Sequence, residues 1–177
     1  IEGNEKIAEI KTLEDQDQLT IRYTEKAIDF ISRNKDKPFF LYFPLPAPHT
    51  PILPTNEFKG KSGTNPYGDF MLQVDHTVGQ ILEALDRNHV ADNTLVMFLS
   101  DNGIAVPFAK ANCYLNSTKT PWIVKWPGQV QPGAVDADHL ISGIDYMPTI
   151  LDALGLETVD GVDGRSFLPI LRGEKQA

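Results

Sequence analysis

A single cysteine, Cys113, stands among the 177 residues, so no internal disulfide can form and the redox compartment is left open. Basic residues are also in short supply. Sixteen Lys and Arg face 24 Asp and Glu, a formal net charge of −8. That balance argues against nucleic acid as a partner, because such binding rests on Lys and Arg neutralising phosphates. No apolar run approaches the roughly 20 residues of a membrane span, which argues against a membrane partner. Ile1-Glu-Gly-Asn4 lacks the basic and apolar regions of a signal peptide, an absence that says nothing if the chain is an internal piece. Internal repeats and low-complexity tracts are missing as well. At 41% hydrophobic the chain can bury a core, and its length fits one domain or part of one, since domains run about 100 to 200 residues.

What is present is organised around Thr94-Leu-Val-Met-Phe-Leu-Ser-Asp101-Asn102-Gly103. Five apolar residues in a row read as a strand buried on both faces, as in a parallel sheet, ending at a carboxylate, an amide and a glycine. In open α/β sheets ligands bind beyond the carboxyl ends of strands, where Asp101 and Asn102 would present two side-chain oxygens on a rigid support. Such donors suit a hard cation, Ca²⁺ or Mg²⁺. The same residues also make an ordinary Asx turn that merely ends the strand.

Residues 1–18 are polar and read as a lead-in, and residues 19–177 as part of a single α/β domain with a mostly parallel central sheet flanked by helices. Leu19, Tyr23, Ala27, Phe30 and Ile31 predict an amphipathic helix. Phe39-Phe-Leu-Tyr-Phe43 predicts a second interior strand, followed by a segment with prolines at 44, 46, 48 and 51 that carries His49. Prolines lower the entropy lost in holding His49 in one place, although a loop histidine need have no such role. A polar loop over 55–66 leads into a long helix whose stripe is Phe70, Val74, Val78, Ile81, Leu82 and Leu85. Asp75 and His76 lie off that stripe, on a solvated face, and His89 and His139 receive no chemistry. Strand, loop, helix and strand form a βαβ unit whose right-handed crossover would make the strands parallel and bring His49 and Asp101 to one sheet edge.

Beyond Gly103 the chain shows no clean period until a strand at Pro121-Trp-Ile-Val-Lys-Trp-Pro127, so the intervening segment is expected to line the Asp101 corner. Lys110 in that segment would place an ammonium where an anion needs neutralising, or would simply be solvated. Asn116-Ser-Thr118 fits a glycosylation acceptor, a pattern too frequent to weigh. His139 to Ile144 reads as a further short strand. Met147 to Leu154 reads as a helix with Pro148 in its first turn and Gly155 just past its end. A short apolar stretch, Phe167 to Leu171, precedes the polar tail.

Several of these segments, in this order, resemble the type I sulfatases of the arylsulfatase group, in the alkaline phosphatase superfamily. They are Lys37-Pro-Phe-Phe-Leu-Tyr42, Ala47-Pro-His-Thr-Pro51, Tyr67-Gly-Asp-Phe70, Val74-Asp-His-Thr-Val-Gly79, Leu99-Ser-Asp-Asn-Gly103, Trp126-Pro-Gly128 and Asp160-Gly-Val-Asp-Gly-Arg-Ser166. The resemblance runs from about residue 13 to the end. It implies an alkaline phosphatase/sulfatase-like fold, of which residues 19–177 are part of the catalytic domain. It further implies that Asp101 and Asn102 are metal ligands, normally for Ca²⁺, that His49 contacts the sulfate ester, and that Lys110 binds sulfate oxygens. The chemistry agrees, since attack on a sulfate ester gathers charge on the sulfuryl and leaving oxygens, which a cation, an ammonium and an imidazole stabilise.

Two departures qualify that expectation. The family's nucleophile is a formylglycine made within a Cys/Ser-x-Pro/Ala-x-Arg motif, and neither that motif nor the upstream pair of aspartate ligands occurs here. Cys113-Tyr-Leu-Asn-Ser117 lacks the proline and the arginine, so Cys113 reads as a small packed residue. The chain is therefore expected to be an internal or C-terminal piece, inactive by itself. The second departure lies in Phe108 to Trp122, which resembles the heparan N-sulfatase (sulfamidase) branch, so O-sulfate and N-sulfate substrates both stay open. The expected partner is a sulfated small molecule or sulfated glycan, and the family implies a periplasmic, secreted or lysosomal setting. The alternatives are a phosphodiesterase or phosphonate hydrolase of the same superfamily, and a non-catalytic homologue that binds an anion or Ca²⁺.

Overall fold

A computed structural model describes residues 3–104 and 109–174. The chain divides into two compact units, Ile1–Ala91 and Asp92–Ala177.

The first unit is helical. The polar lead-in is not wholly irregular, because it contains α1 (Leu13–Asp17), started by a capping box. Thr12 Oγ1 accepts from Asp15 N, and Asp15 Oδ2 accepts from the N–H groups of Thr12 and Lys11. The N–H of Lys11 first, then that of Thr12, hold the Asp15 carboxyl below its ordinary range. The two long helices, α2 (Leu19–Asn34) and α3 (Pro66–Arg87), pack on each other where the sequence places helices.

Their contact faces differ from the expected apolar stripes. On α2 the buried residues are Thr20, Thr24, Ala27 and Ile31, while Tyr23 is exposed; on α3 they include Gln73 and Thr77 alongside Phe70, Val74, Ala84 and Leu85. Small and threonine side chains let two helices approach closely, at the cost of burying hydroxyls that must then be satisfied. Thr24 Oγ1 donates back to Thr20 O at 2.7 Å and lies 3.4 Å from Thr77 Oγ1, which keeps both hydroxyls bonded inside the interface. Asp75 and His76 are exposed, as expected for the off-stripe face.

The loop before α3 is organised by Asp69, a buried carboxylate that accepts Gly60 N and Ser62 N, each at 2.8 Å. The Ser62 hydroxyl first, then the Ser62 and Gly60 N–H groups, hold its carboxyl below the ordinary range. Asn65 caps α3 by accepting from Gly68 N, and Pro66 sits in the first turn, where a missing N–H costs nothing.

Phe39–Phe43 corrects an expectation. Its side chains alternate between half-buried and exposed, with Phe40 69% and Tyr42 77% exposed, which is the period of an extended chain. Among the described residues no segment supplies ladder hydrogen bonds to it, so there it is an extended segment, not a paired strand of a βαβ unit.

The second unit holds the only described sheet, β1 (Val96–Leu99) with β2 (Trp122–Lys125). The pair is antiparallel, with Val96 opposite Lys125 and Leu99 opposite Trp122. β1 is half-buried rather than buried on both faces, because it has a ladder partner along one edge alone among the described residues. Two short helices, α4 (Leu115–Thr118) before β2 and α5 (Tyr146–Ala153) after it, are followed by α6 (Leu168–Leu171). Pro148 lies in the first turn of α5, and Gly155 just beyond its end takes φ +68°, as a C-terminal glycine should.

The strand expected over 139–144 is absent. Leu140 is 98% exposed, and Gly143–Asp145 forms a 3₁₀ turn closed by a Ser142/Asp145 capping box. The physical reason is Asp145, whose carboxylate accepts Ser142 N and Arg165 N, each at 2.8 Å, and so starts a helix instead of extending a ladder. Gly164 is required in the same clamp, since a Cβ there would collide with the Ile144 carbonyl. The core of this unit is aromatic. Trp122 meets Phe167 edge-on at 4.0 Å and Tyr146 at 4.9 Å between ring centroids. Burial, and next the Asp145 carboxylate, push the Tyr146 phenol up.

Candidate functional site

The chain leaves β1 at Leu99 and turns within four residues. Ser100 N donates to Pro121 O at 3.3 Å, continuing the β1–β2 pairing by one bond. Ser100 Oγ then donates to Asn102 O at 3.0 Å, and Asn102 Nδ2 to Gly103 O at 3.0 Å. Gly103 N donates to Ser117 O of α4, also at 3.0 Å. The approach is so close that a Cβ on Gly103 would collide with the Asn116 carbonyl oxygen and sit 3.0 Å from Ser117 Cα. Glycine is needed here for the close pass of two backbones, not for its φ.

This elbow presents two oxygens suited to a cation. The Asp101 carboxylate is exposed, and among the described residues nothing hydrogen-bonds to it or pairs with it. Asn102 is half-buried, and with Nδ2 given to Gly103 O its Oδ1 remains the lone-pair donor. One carboxylate and one amide oxygen, side by side on a held backbone, fit a hard oxygen-seeking ion such as Ca²⁺. Two donors are a partial set, and among the described residues no group of three or more His, Cys, Asp or Glu could hold a metal.

Lys110 belongs to the same corner. Its N–H donates to Ile104 O at 3.0 Å, so the chain that departs after Gly103 returns beside the elbow before entering α4. Asn112 shapes the return, its Oδ1 accepting Tyr114 N at 2.8 Å, next to Ala111 in the left-handed region at φ 66°. Phe108, at the start of the sulfamidase-like segment, lies outside the described residues. Cys113 is exposed, which corrects its reading as a packed residue. Tyr114 N and Lys119 N close the surrounding turns, and nothing there calls for a buried thiol.

His49 lies in the first unit, on the proline-framed turn. It is exposed, and its Nδ1 is 2.8 Å from Thr50 O. A carbonyl only accepts, so Nδ1 carries the proton and Nε2 is the lone-pair nitrogen of the neutral ring. The His76 ring meets that of Phe58 at a tilt, 5.4 Å between centroids, and His139 pairs with Asp136 at 2.7 Å in an exposed loop. His139's N–H and ring together hold the Asp136 carboxyl below its ordinary range.

The structure thus brings Asp101, Asn102 and the Lys110 backbone to one corner of the second unit. Ser100, Gly103 and Ser117, which build that corner, carry no sequence signal of their own beyond the glycine that follows Asp-Asn.

The sulfatase family model matches residues 1–156. The chain belongs to the sulfatase family. It is 37% identical over 169 residues to the N-acetylgalactosamine-6-sulfatase of Homo sapiens, a match covering 86% of this chain and 32% of that protein. It is 34% identical over 177 residues to the steryl-sulfatase of Rattus norvegicus, covering 89% of this chain and 30% of that protein. Among solved structures, the PsFucS1 sulfatase from Pseudoalteromonas sp. superposes with a TM-score of 0.88 at 25% identity, covering 98% of this chain and 38% of that one. The α/β class expected from the sequence is the fold of these sulfatases, of which the chain forms part of a domain. This sulfatase chain spans about a third of the length of the curated relatives it matches, 32% and 30%.

Proposed function

We propose that the whole protein carrying this sulfatase chain hydrolyses sulfate esters, with Asp101, Asn102 and Lys110 of the second unit serving that reaction and His49 of the first unit taking the sulfate-contacting role that the family resemblance implies. Its nucleophile, a formylglycine, lies outside these residues. The observation that carries the reading is the Asp101 carboxylate, exposed and without a partner among the described residues at the end of β1, beside an Asn102 amide oriented by Gly103 O. The backbone beneath the two side chains is tied at Ser100 and Gly103, and metal donors gain preorganisation from such a support.

Asp101 and Asn102 hold a divalent cation, Ca²⁺ or alternatively Mg²⁺, through Asp101 Oδ and Asn102 Oδ1. When bound, that ion supplies positive charge against the sulfuryl oxygens, where negative charge grows in the transition state. Lys110 binds the same sulfate group through its ammonium, and the bond from its own N–H to Ile104 O keeps its backbone at the elbow. His49 contacts the ester oxygen through Nε2, its ring oriented by the Nδ1 bond to Thr50 O. In the protonated state that nitrogen donates to the leaving oxygen as it gains charge.

The substrate class is a sulfated sugar or a sulfated small ring compound. Two relatives support O-sulfate esters, one named for N-acetylgalactosamine 6-sulfate and one for a steryl sulfate. The segment over 108–122 resembles the sulfamidases, which favours an N-sulfate as the second reading.

The test is a turnover assay of the whole protein on an aryl sulfate, a 6-sulfated N-acetylgalactosamine, N-sulfoglucosamine and an aryl phosphodiester. Release of sulfate from an O-sulfate, abolished by EDTA and restored by Ca²⁺, is the expected result. Turnover of N-sulfoglucosamine alone would select the second reading. Turnover of the phosphodiester alone, or of nothing, would refute the proposal.

A further inference from the structure

The elbow that carries Asp101 and Asn102 is held at more points than a strand end requires. Ser100 N is tied to Pro121 O, Ser100 Oγ to Asn102 O, and Gly103 N to Ser117 O. Two of these bonds run between main-chain atoms, with no side chain taking part. The hydroxyl of Ser100 is different, because it alone reaches across Asp101 to the backbone of the second donor residue.

We infer that Ser100 is a positioning residue for the cation site, its hydroxyl fixing the Asn102 backbone so that Asn102 Oδ1 and the Asp101 carboxylate are presented together. The inference rests on the proposed function, whose metal donors it concerns. A serine hydroxyl bonded to a carbonyl two residues on closes a tight local ring and removes backbone rotations at positions 101 and 102. Asn102 Nδ2 bonded to Gly103 O then fixes the amide plane, and Gly103 itself is locked against α4 by the Ser117 carbonyl. Each rotation frozen before the ion arrives is entropy that binding need not remove. Without the hydroxyl the Asn102 carbonyl is half-buried with one acceptor bond fewer, and the loop between Ser100 and Gly103 regains freedom. The donors survive chemically but lose their common aim, which is how groups behind metal ligands set affinity.

The experiment uses the whole protein, stripped with EDTA and titrated with Ca²⁺ while its melting temperature is followed. Ser100→Ala should raise the Ca²⁺ concentration for half-maximal stabilisation about tenfold, within the range seen when groups supporting metal ligands are removed. Its melting temperature without metal should stay near that of the wild type. Ser100→Thr, which keeps the hydroxyl, should titrate close to the wild type, and Asp101→Ala should show no Ca²⁺-dependent shift. A merely structural serine would lower the melting temperature without metal and leave the titration midpoint in place, which overturns the inference. So would a Thr variant as impaired as the Ala variant. A wild-type protein that ignores Ca²⁺ removes the metal reading itself and the inference with it, whereas a responsive wild type with an unmoved Ser100→Ala midpoint removes the inference alone.

Discussion

Asp101→Ala in the whole protein should lower sulfate-ester turnover by about a thousandfold or more, since loss of a metal's several kcal/mol of charge stabilisation costs a factor of ten per 1.36 kcal/mol. Asn102→Ala should fall in the same direction for the same reason. The expectation follows from where these side chains stand. Asp101 has no internal bond to lose among the described residues, so its removal should leave folding intact and strike the site alone. His76→Ala provides the contrast, because His76 is an exposed residue whose ring leans against Phe58, and its loss should leave turnover unchanged. Steady-state assays at saturating Ca²⁺, with circular dichroism to confirm folding, check the set. Undiminished turnover in Asp101→Ala would count against Asp101 as a metal ligand whatever the family.

The largest effect on stability should come from Phe167→Ala, at about 3–5 kcal/mol, the usual cost of emptying a buried phenylalanine site. Phe167 is 3% exposed and meets both Trp122 and Tyr146 edge-on, so its loss opens a cavity between β2 and α5. Its N–H also donates to Thr149 Oγ1 at 3.0 Å, and Thr149 donates in turn to Asp145 O, which ties α6 to the start of α5. The backbone half of that link survives in the variant, so the loss measures the ring. Phe167→Leu, which preserves most of the volume, should cost under about 1.5 kcal/mol. Urea unfolding followed by tryptophan fluorescence reads the difference directly, because Trp122 reports from the cavity wall. A Phe167→Ala midpoint equal to that of the wild type would show that the aromatic cluster is not the core of this unit.

How much of this was legible beforehand depends on whether the deciding contact is local. The helices α2 and α3 were legible because a 3.6-residue period survives in their apolar residues. Their mutual face was not, since Thr20, Thr24, Gln73 and Thr77 have the composition of surface residues, and only packing buries them, with Thr24 meeting Thr77 across the helices and Gln73 Oε1 accepting Thr55 N from the loop. Phe39–Phe43 has the composition and alternation of a strand, but pairing requires a second segment that no local pattern specifies. The stretch 139–144 departs from its sequence pattern because Asp145 recruits Arg165 N, 20 residues away, and a distant donor leaves no trace in a short window.

The site divides the same way. Asp101 and Asn102 were visible because an apolar run ends on them, and Lys110 because a segment without period departs from that end. The returns that build the corner, Gly103 to Ser117 and Lys110 to Ile104, are products of tertiary folding. Gly103 could be read as a turn glycine, yet its function is to let the backbone of α4 pass, which only coordinates reveal.

Diffraction from crystals of the whole protein grown with Ca²⁺, with anomalous scattering used to locate the ion, tests the central claim most directly. The account predicts an ion with Asp101 Oδ and Asn102 Oδ1 each about 2.3–2.6 Å away. An ion bound elsewhere in the protein, with Asp101 facing solvent and Asn102 Oδ1 uncoordinated, would contradict it.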